Sequence, residues 1–150
     1  MNSDAVMVPY KVVSRRLFKH SPEKLFDAFA DEAALKQWWG PAGITNTIET
    51  FDFRPGGAWR HTMHALDGAK FENHSEFIEI DRPRRISFLH RGPMHVFTLV
   101  MDFIGKDGGT ELVWTMNSEN GGENKEMLGF IESANQQNFD KLGALLDAAG

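Results

Sequence analysis

Between residues 44 and 117 the apolar side chains recur at every second position, in short runs cut by turn residues. That period, more than any other feature, restricts what the chain can fold into. Ile44 to Phe53, Ala58 to Leu66, Lys70 to Ile80, Arg85 to His90, His95 to Ile104 and Thr110 to Asn117 read as strands. The breaks between them are Arg54-Pro55-Gly56-Gly57, Asp67-Gly68, Asp81-Arg82-Pro83, Arg91-Gly92-Pro93 and Lys106-Asp107-Gly108-Gly109. A parallel crossover needs about a dozen residues or more, so connections this short join antiparallel neighbours in a meander.

On either side of this region the period changes. Val8 to Lys19 reads as a first strand, and Ser21-Pro22-Glu23 then starts a helix with an N-cap serine, proline in the first turn and an acid after it. Leu25, Phe26, Phe29 and Ala30 follow at helical spacing, and Glu32 to Gln37 form a second short helix ended by Gly40-Pro41-Ala42-Gly43. Beyond Asn120-Gly121-Gly122, one helical stripe runs through Met127, Ile131, Ala134, Asn138, Leu142, Leu145 and Ala149, widened by Phe130, Phe139 and Leu146. The order β-α-α-β6-α predicts an α+β fold: a curved seven-stranded antiparallel sheet wrapped around a long C-terminal helix. No repeat or linker divides the sequence, so residues 1–150 are expected to form a single domain with its core over about 10–148.

The chemistry available is narrow. There is no cysteine, which excludes disulfide scaffolds, thiolate zinc sites and thiol catalysis. No apolar run approaches the ~18 residues of a membrane span, and Met1-Asn2-Ser3-Asp4 lacks a signal pattern, so a cytoplasmic protein with no membrane partner is expected. Sixteen basic against twenty-one acidic residues, a net charge of -5, argue against a nucleic-acid partner, and Arg82-Pro83-Arg84-Arg85 reads as a turn. Twelve Phe, four Trp and one Tyr are a heavy stock of rings for one small core.

Five stretches, in this order, carry a resemblance. They are Ser21-Pro22-Glu23-Lys24-Leu25-Phe26-Asp27-Ala28-Phe29, Leu35-Lys36-Gln37-Trp38-Trp39-Gly40-Pro41, Asp52-Phe53-Arg54-Pro55-Gly56-Gly57, Phe77-Ile78-Glu79-Ile80-Asp81-Arg82-Pro83-Arg84-Arg85-Ile86 and Gly109-Thr110-Glu111-Leu112. Together they resemble the START-like, Bet v 1-like helix-grip (SRPBCC) superfamily, and within it the family of the heat-shock-protein ATPase activator (of the ninety-kilodalton heat-shock protein). The resemblance implies an apolar cavity between sheet and C-terminal helix. Members bind hydrophobic small molecules, act as polyketide cyclases or aromatase-like enzymes, or serve as co-chaperones. The chain departs from the pattern at Asn138-Phe139, where members often carry Gly-Trp, and in the polar run Asn135, Gln136, Gln137 and Asn138.

Strand alternation sorts the candidate residues. Trp59, His61 and Met63 share a face, as do Leu99, Met101 and Phe103, and Leu112, Trp114 and Met116. Ile86, Phe88 and His90 share another, although strand-end histidines such as His90, and His95 beyond the Gly92-Pro93 turn, are mostly exposed. If Ile78 and Ile80 face the core, the same parity carries His74 and Glu76 inward, where a carboxylate beside His74 and His61 could act as a general acid/base pair. A bulge near Ser75 would instead leave both solvated. The expected ligand wall is therefore Trp59, His61, Met63, His74, Glu76, Phe88, Leu99, Met101 and Trp114, with Asn135 and Phe139 from the helix.

Metal binding is not expected, because His61 and His64 alternate to opposite faces and a zinc site from His61, His74 and Glu76 has no supporting motif. Neither a Gly-x-Ser-x-Gly elbow nor a nucleotide-binding glycine pattern is present, the serines read as caps, turns or strand surface, and no cofactor is expected. Trp38-Trp39 read as an anchor for the short helices at the border of the cavity mouth. The leading expectation is a binder of a hydrophobic or aromatic small molecule without enzymatic activity. The alternatives are a cyclase-, dehydratase- or hydrolase-like enzyme using Glu76 with His74 or His61, and a co-chaperone-like module. A homodimer through a strand edge or the Trp38-Trp39 region is the oligomeric expectation.

Overall fold

Strands joined by tight turns have no room to do anything but pair with their sequence neighbours, and they do. A computed structural model describes residues 8–92 and 96–149. It contains β1 (Tyr10–Phe18), α1 (Pro22–Ala30), α2 (Glu32–Trp38), β2 (Thr45–Phe51), β3 (Ala58–His64), β4 (Lys70–Asp81), β5 (Arg85–His90), β6 (Phe97–Lys106), β7 (Gly109–Ser118) and α3 (Lys125–Ala149). Met1–Asp4, Pro93 of the predicted turn and the strand start at His95 lie outside the described residues.

The strands form one antiparallel sheet in the order β1-β7-β6-β5-β4-β3-β2, so the first strand returns to pair with the last and β1 and β2 are the edges. Local chemistry starts the helices as the sequence predicts. The Ser21 hydroxyl accepts from Lys24 N at 3.2 Å, Pro22 sits where no N–H is needed, and Asp31 caps α2 by accepting from Ala33 N at 3.0 Å. Leu25, Phe26, Ala28 and Phe29 of α1 are buried against the concave face of the sheet's core, and 25 residues of α3 give it a length of about 37 Å at ~1.5 Å per residue. Asn135, Asn138, Phe139, Leu142 and Leu146 form its buried stripe.

Phe130, expected on that stripe, is 71% exposed. It falls instead on the solvent stripe with Ser133, Asp140, Ala144 and Asp147, all exposed, at spacings of three, seven, four and three residues. Ala149 is exposed as well.

β4 departs most from expectation. Ser75 and Phe77 are buried, whereas His74, Glu76 and Ile78 are exposed, Ile78 at 53%. The register with β5 runs Phe77↔Phe88 and then Glu79↔Ser87, which leaves Ile78 as the extra residue of a β-bulge. The apolar pair Ile78 and Ile80 therefore does not report one face, and His74 and Glu76 point outward. The bulge lies at Ile78, three residues beyond the expected Ser75. Its neighbour Phe77 is pinned by the preceding turn: Gly56 N donates to Phe77 O at 2.8 Å and Phe77 N donates to Gly57 O at 2.9 Å. Gly57 permits this, since a Cβ there would lie 2.0 Å from Asp52 O.

Candidate functional site

The concave face of the sheet and the first half of α3 do not close on each other completely. A cavity of about 190 Å³ lies between them, at the end of the sheet formed by β3, β4 and β5. Strand register lays out its floor. Trp59 on β3 stands opposite Ser75 on β4, Ser75 opposite His90 on β5, and His90 opposite Phe97 on β6. His61 lies opposite Asn73 in the next row. Phe88, Leu99, Met116 and Trp114 continue the wall, Met63 closes one side, and α3 contributes Ala134, Asn135 and Asn138. The remaining side is Trp39, Gly40 and Pro41 after α2. A larger depression of about 500 Å³ lies among Tyr10, Lys11, Val96, Phe97 and Glu119, but it includes charged and exposed side chains. The inner cavity is walled mostly by buried ones, which is the character of a ligand site.

The run of polar residues on α3 positions this wall. Asn138 Nδ2 donates to Trp38 O at 2.6 Å while Asn138 Oδ1 accepts from Gly40 N at 3.2 Å. Gln137 Oε1 accepts from Ala42 N at 3.1 Å, and Lys141 Nζ donates to Ile44 O at 3.0 Å. These bonds tie the α2–β2 loop to the helix, and burial pulls the Lys141 pKa below the ordinary lysine value. On the other flank Asn135 Nδ2 donates to Ser14 Oγ at 3.0 Å, and Ser14 in turn donates to Glu132. Gln136 Oε1 accepts from Arg16 Nη2 at 2.8 Å. The departure from Gly-Trp thus has a local use: an asparagine at 138 can serve a carbonyl and an N–H at once.

His61 is the least expected member of the wall in its electrostatics. It is 2% exposed and stacks on Trp59 with ring centroids 4.4 Å apart and planes 19° apart. Neither Nδ1 nor Nε2 has a hydrogen-bond partner among the described residues, and the same holds for the indole nitrogens of Trp59 and Trp114. Burial, with the neighbouring His90 adding to it, pushes the His61 pKa down to about 3, so the ring is neutral. His90 is itself buried, 8% exposed, contrary to its expected exposure at a strand end. It stacks on Phe97 at 4.6 Å and its Nδ1 lies 3.4 Å from Ser75 Oγ.

Of the residues expected to line the cavity, Trp59, His61, Met63, Phe88, Leu99, Trp114 and Asn135 do so. Met101 and Phe139 are buried but belong to the filled core; Phe139 packs edge-on to Trp114 at 4.8 Å. Glu76 and His74 stand on the opposite face, Glu76 accepting from Arg91 Nη2 at 3.3 Å. They cannot join His61 in acid/base chemistry or around a metal, because the sheet separates them. Ser75 corrects a second expectation, since it is a concave-face serine at 0% exposure. Trp39, Gly40, Pro41, Asn73 and Ser75 are lining residues that strand and helix periodicity did not single out. The signal for Asn73 and Ser75 was Phe77 two residues on, had its parity been followed instead of that of Ile78. Trp38 and Trp39 are 2% and 9% exposed, and Trp38 Nε1 donates to Ala28 O at 2.9 Å, the expected anchor.

A seven-stranded antiparallel sheet gripping a long C-terminal helix, with a cavity between them, defines a START-like helix-grip domain. The chain matches the family model for activator of Hsp90 ATPase homolog 1-like proteins over residues 19–147 and belongs to that family. Solved structures agree in fold. A protein from Nitrosomonas europaea superposes with a TM-score of 0.82 at 22% identity, covering 98% of both chains. One from Mycobacterium smegmatis gives 0.79 at 25% identity, covering 99% of this chain and 97% of the other. A solution structure from Arthrobacter aurescens gives 0.81 at 20%, covering 98% and 90%. Curated proteins give no significant sequence match.

Proposed function

We propose that the protein binds a small uncharged hydrophobic molecule, about the size of one aromatic ring or a fused pair, in the cavity between sheet and α3. One observation carries this reading: a cavity of about 190 Å³ walled by Trp39, Trp59, Phe88, Phe97, Leu99 and Trp114 also includes side chains whose buried nitrogens lack partners among the described residues. An unsatisfied buried donor or acceptor costs about 1–3 kcal/mol, so a wall serving stability alone would be apolar at these positions. The volume suits such a ligand, since an apolar cavity of about 150 Å³ accommodates benzene. Membership of the helix-grip class supports the location, while the chemistry is argued from the residues of the site itself.

Native mass spectrometry of freshly purified protein, followed by tryptophan-fluorescence titration with toluene, tests the reading. A retained small molecule or saturable change in Trp emission is the expected outcome. No added mass and no spectral response up to the solubility limit of the probe would refute it.

A further inference from the structure

Most of the cavity wall is buried, but Pro41, Met63, Asn73, Phe97 and Ala134 are half-buried and so form its rim. Met63, Asn73 and Phe97 sit in strand ladders, opposite Phe71, His61 and His90, and Ala134 lies within α3. Pro41 alone belongs to a connection, the stretch from Gly40 to Ile44 between α2 and β2. The apolar core takes in Trp38 and Trp39 but, among the described residues, none of the five that follow. Ala42 and Gly43 are exposed. What holds the stretch is polar and comes from one side of α3. Asn138 Oδ1 accepts from Gly40 N at 3.2 Å and Gln137 Oε1 accepts from Ala42 N at 3.1 Å. Lys141 Nζ donates to the Pro41 and Ile44 carbonyls at 3.4 and 3.0 Å. Gly40 and Gly43, with φ of +93° and +84°, adopt backbone conformations that favour glycine at the two ends of the loop.

We infer that residues 40–44 are a strap that opens to let the ligand in and out, latched to α3 by Gln137, Asn138 and Lys141. This rests on the reading of the cavity as a binding site and adds how access to it is controlled. Parting the strap breaks a few hydrogen bonds and uncovers no core side chain of its own, so it needs far less free energy than global unfolding. Water can replace the lost bonds, and the terminal glycines absorb the change in backbone angle. The other lips have no such freedom. Moving a strand lip would break the ladder of the sheet, and moving α3 would expose Phe139, Leu142 and Leu146. Gln137 and Lys141 lie outside the described lining of the cavity, so they bear on the rates of entry and exit and not on what the cavity accepts.

Stopped-flow tryptophan fluorescence with toluene tests this on the parent protein, on the double variant Gln137→Leu with Lys141→Met, and on Gln136→Leu. The double variant cuts the latch outside the cavity. Gln136→Leu removes the bond from Arg16 on the opposite flank of α3 and is the control. In the latch variant the association and dissociation rates are both expected to rise about tenfold, the net worth of about one or two hydrogen bonds. Kd stays within about twofold, because the closed strap is latched alike with and without ligand. The control keeps the parent rates. Hydrogen exchange on the parent protein needs no variant: the Gly40 and Ala42 amides should exchange faster than those of β3, and toluene should slow them. Unchanged rates in the latch variant, a rise in dissociation alone, or an equal rise in the control overturns the strap and leaves the binding reading standing. Strap amides as slow to exchange as those of β3 overturn it too. Failure of toluene to bind the parent protein at equilibrium overturns both.

Discussion

The two ends of the concave face are built from the same kinds of side chain and differ in one respect. Under α1 the space is filled by phenyl rings. Phe29 alone meets Trp38, Trp39, Phe51, Phe53, Trp59, Phe77 and Phe88 at centroid distances from 5.3 to 6.5 Å, and Phe26 packs on Phe53 and Phe103. Beneath the first half of α3 the rings carry nitrogen, Ser75 and Asn73 join the floor, and a cavity remains. At the end under α1 most of the rings are phenyl, and the Trp38 indole N–H is paired with Ala28 O at 2.9 Å. At the other end the buried ring nitrogens of Trp59, His61 and Trp114 lack hydrogen-bond partners among the described residues, at a cost to stability.

Truncation at the filled end should have the largest effect. Phe29→Ala is expected to cost about 3–5 kcal/mol by urea denaturation, since it removes a fully buried ring from a close-packed cluster. A loss below about 1 kcal/mol would mean that this end is loosely packed too, and the contrast between the ends would fail.

The cavity end should instead reveal itself through pH. The folded state holds His61 neutral down to about pH 3, whereas the unfolded chain takes up a proton near pH 6.5. The unfolded state therefore binds more protons in between. The stability is fully present above about pH 6.5 and is lost as pH falls toward 3, by about 1.4 kcal/mol per pH unit. Between pH 6.5 and 5 that amounts to about 2 kcal/mol. Denaturation midpoints across this window should show the component in the parent protein and lack it in His61→Phe; parallel curves for the two proteins would contradict the placement of His61.

The smallest effect belongs to the convex face. Glu76 and Arg91, about half exposed, form an ion pair worth little in water. Glu76→Gln should change stability by less than about 0.5 kcal/mol and leave the affinity for toluene unaltered. A loss of binding in that variant would move the site to the other side of the sheet.

Most of this contrast was written into the alternation of β3, β5, β6 and β7. Trp59, His61 and Met63, then Phe88, Leu99, Trp114 and Met116 could be assigned inward because each strand keeps its period without interruption over those residues. β4 misled because Ile78 is apolar and exposed: one extra residue reverses the face of everything read from it, and a bulge leaves no mark on hydrophobicity. Asn135 was singled out as unusual, yet its role and that of Asn138 depend on Ser14, Trp38 and Gly40, which no helical pattern brings into view.

What the sequence by itself determined is the order of elements, the α+β class and the inward side of the regular strands. Caps, turns and side-chain period act between residues a few positions apart, so they are legible in a linear string. Only the tertiary structure decided that the grip stays open at one end, that Glu76 and His74 lie outside it, and that Ser75 and His90 lie within. A cavity is the space left when side chains from distant elements meet: Asn138 reaches Gly40 and Trp38 across 98 and 100 residues of chain. Such contacts are fixed by the closing of the sheet around the helix, which no local rule describes.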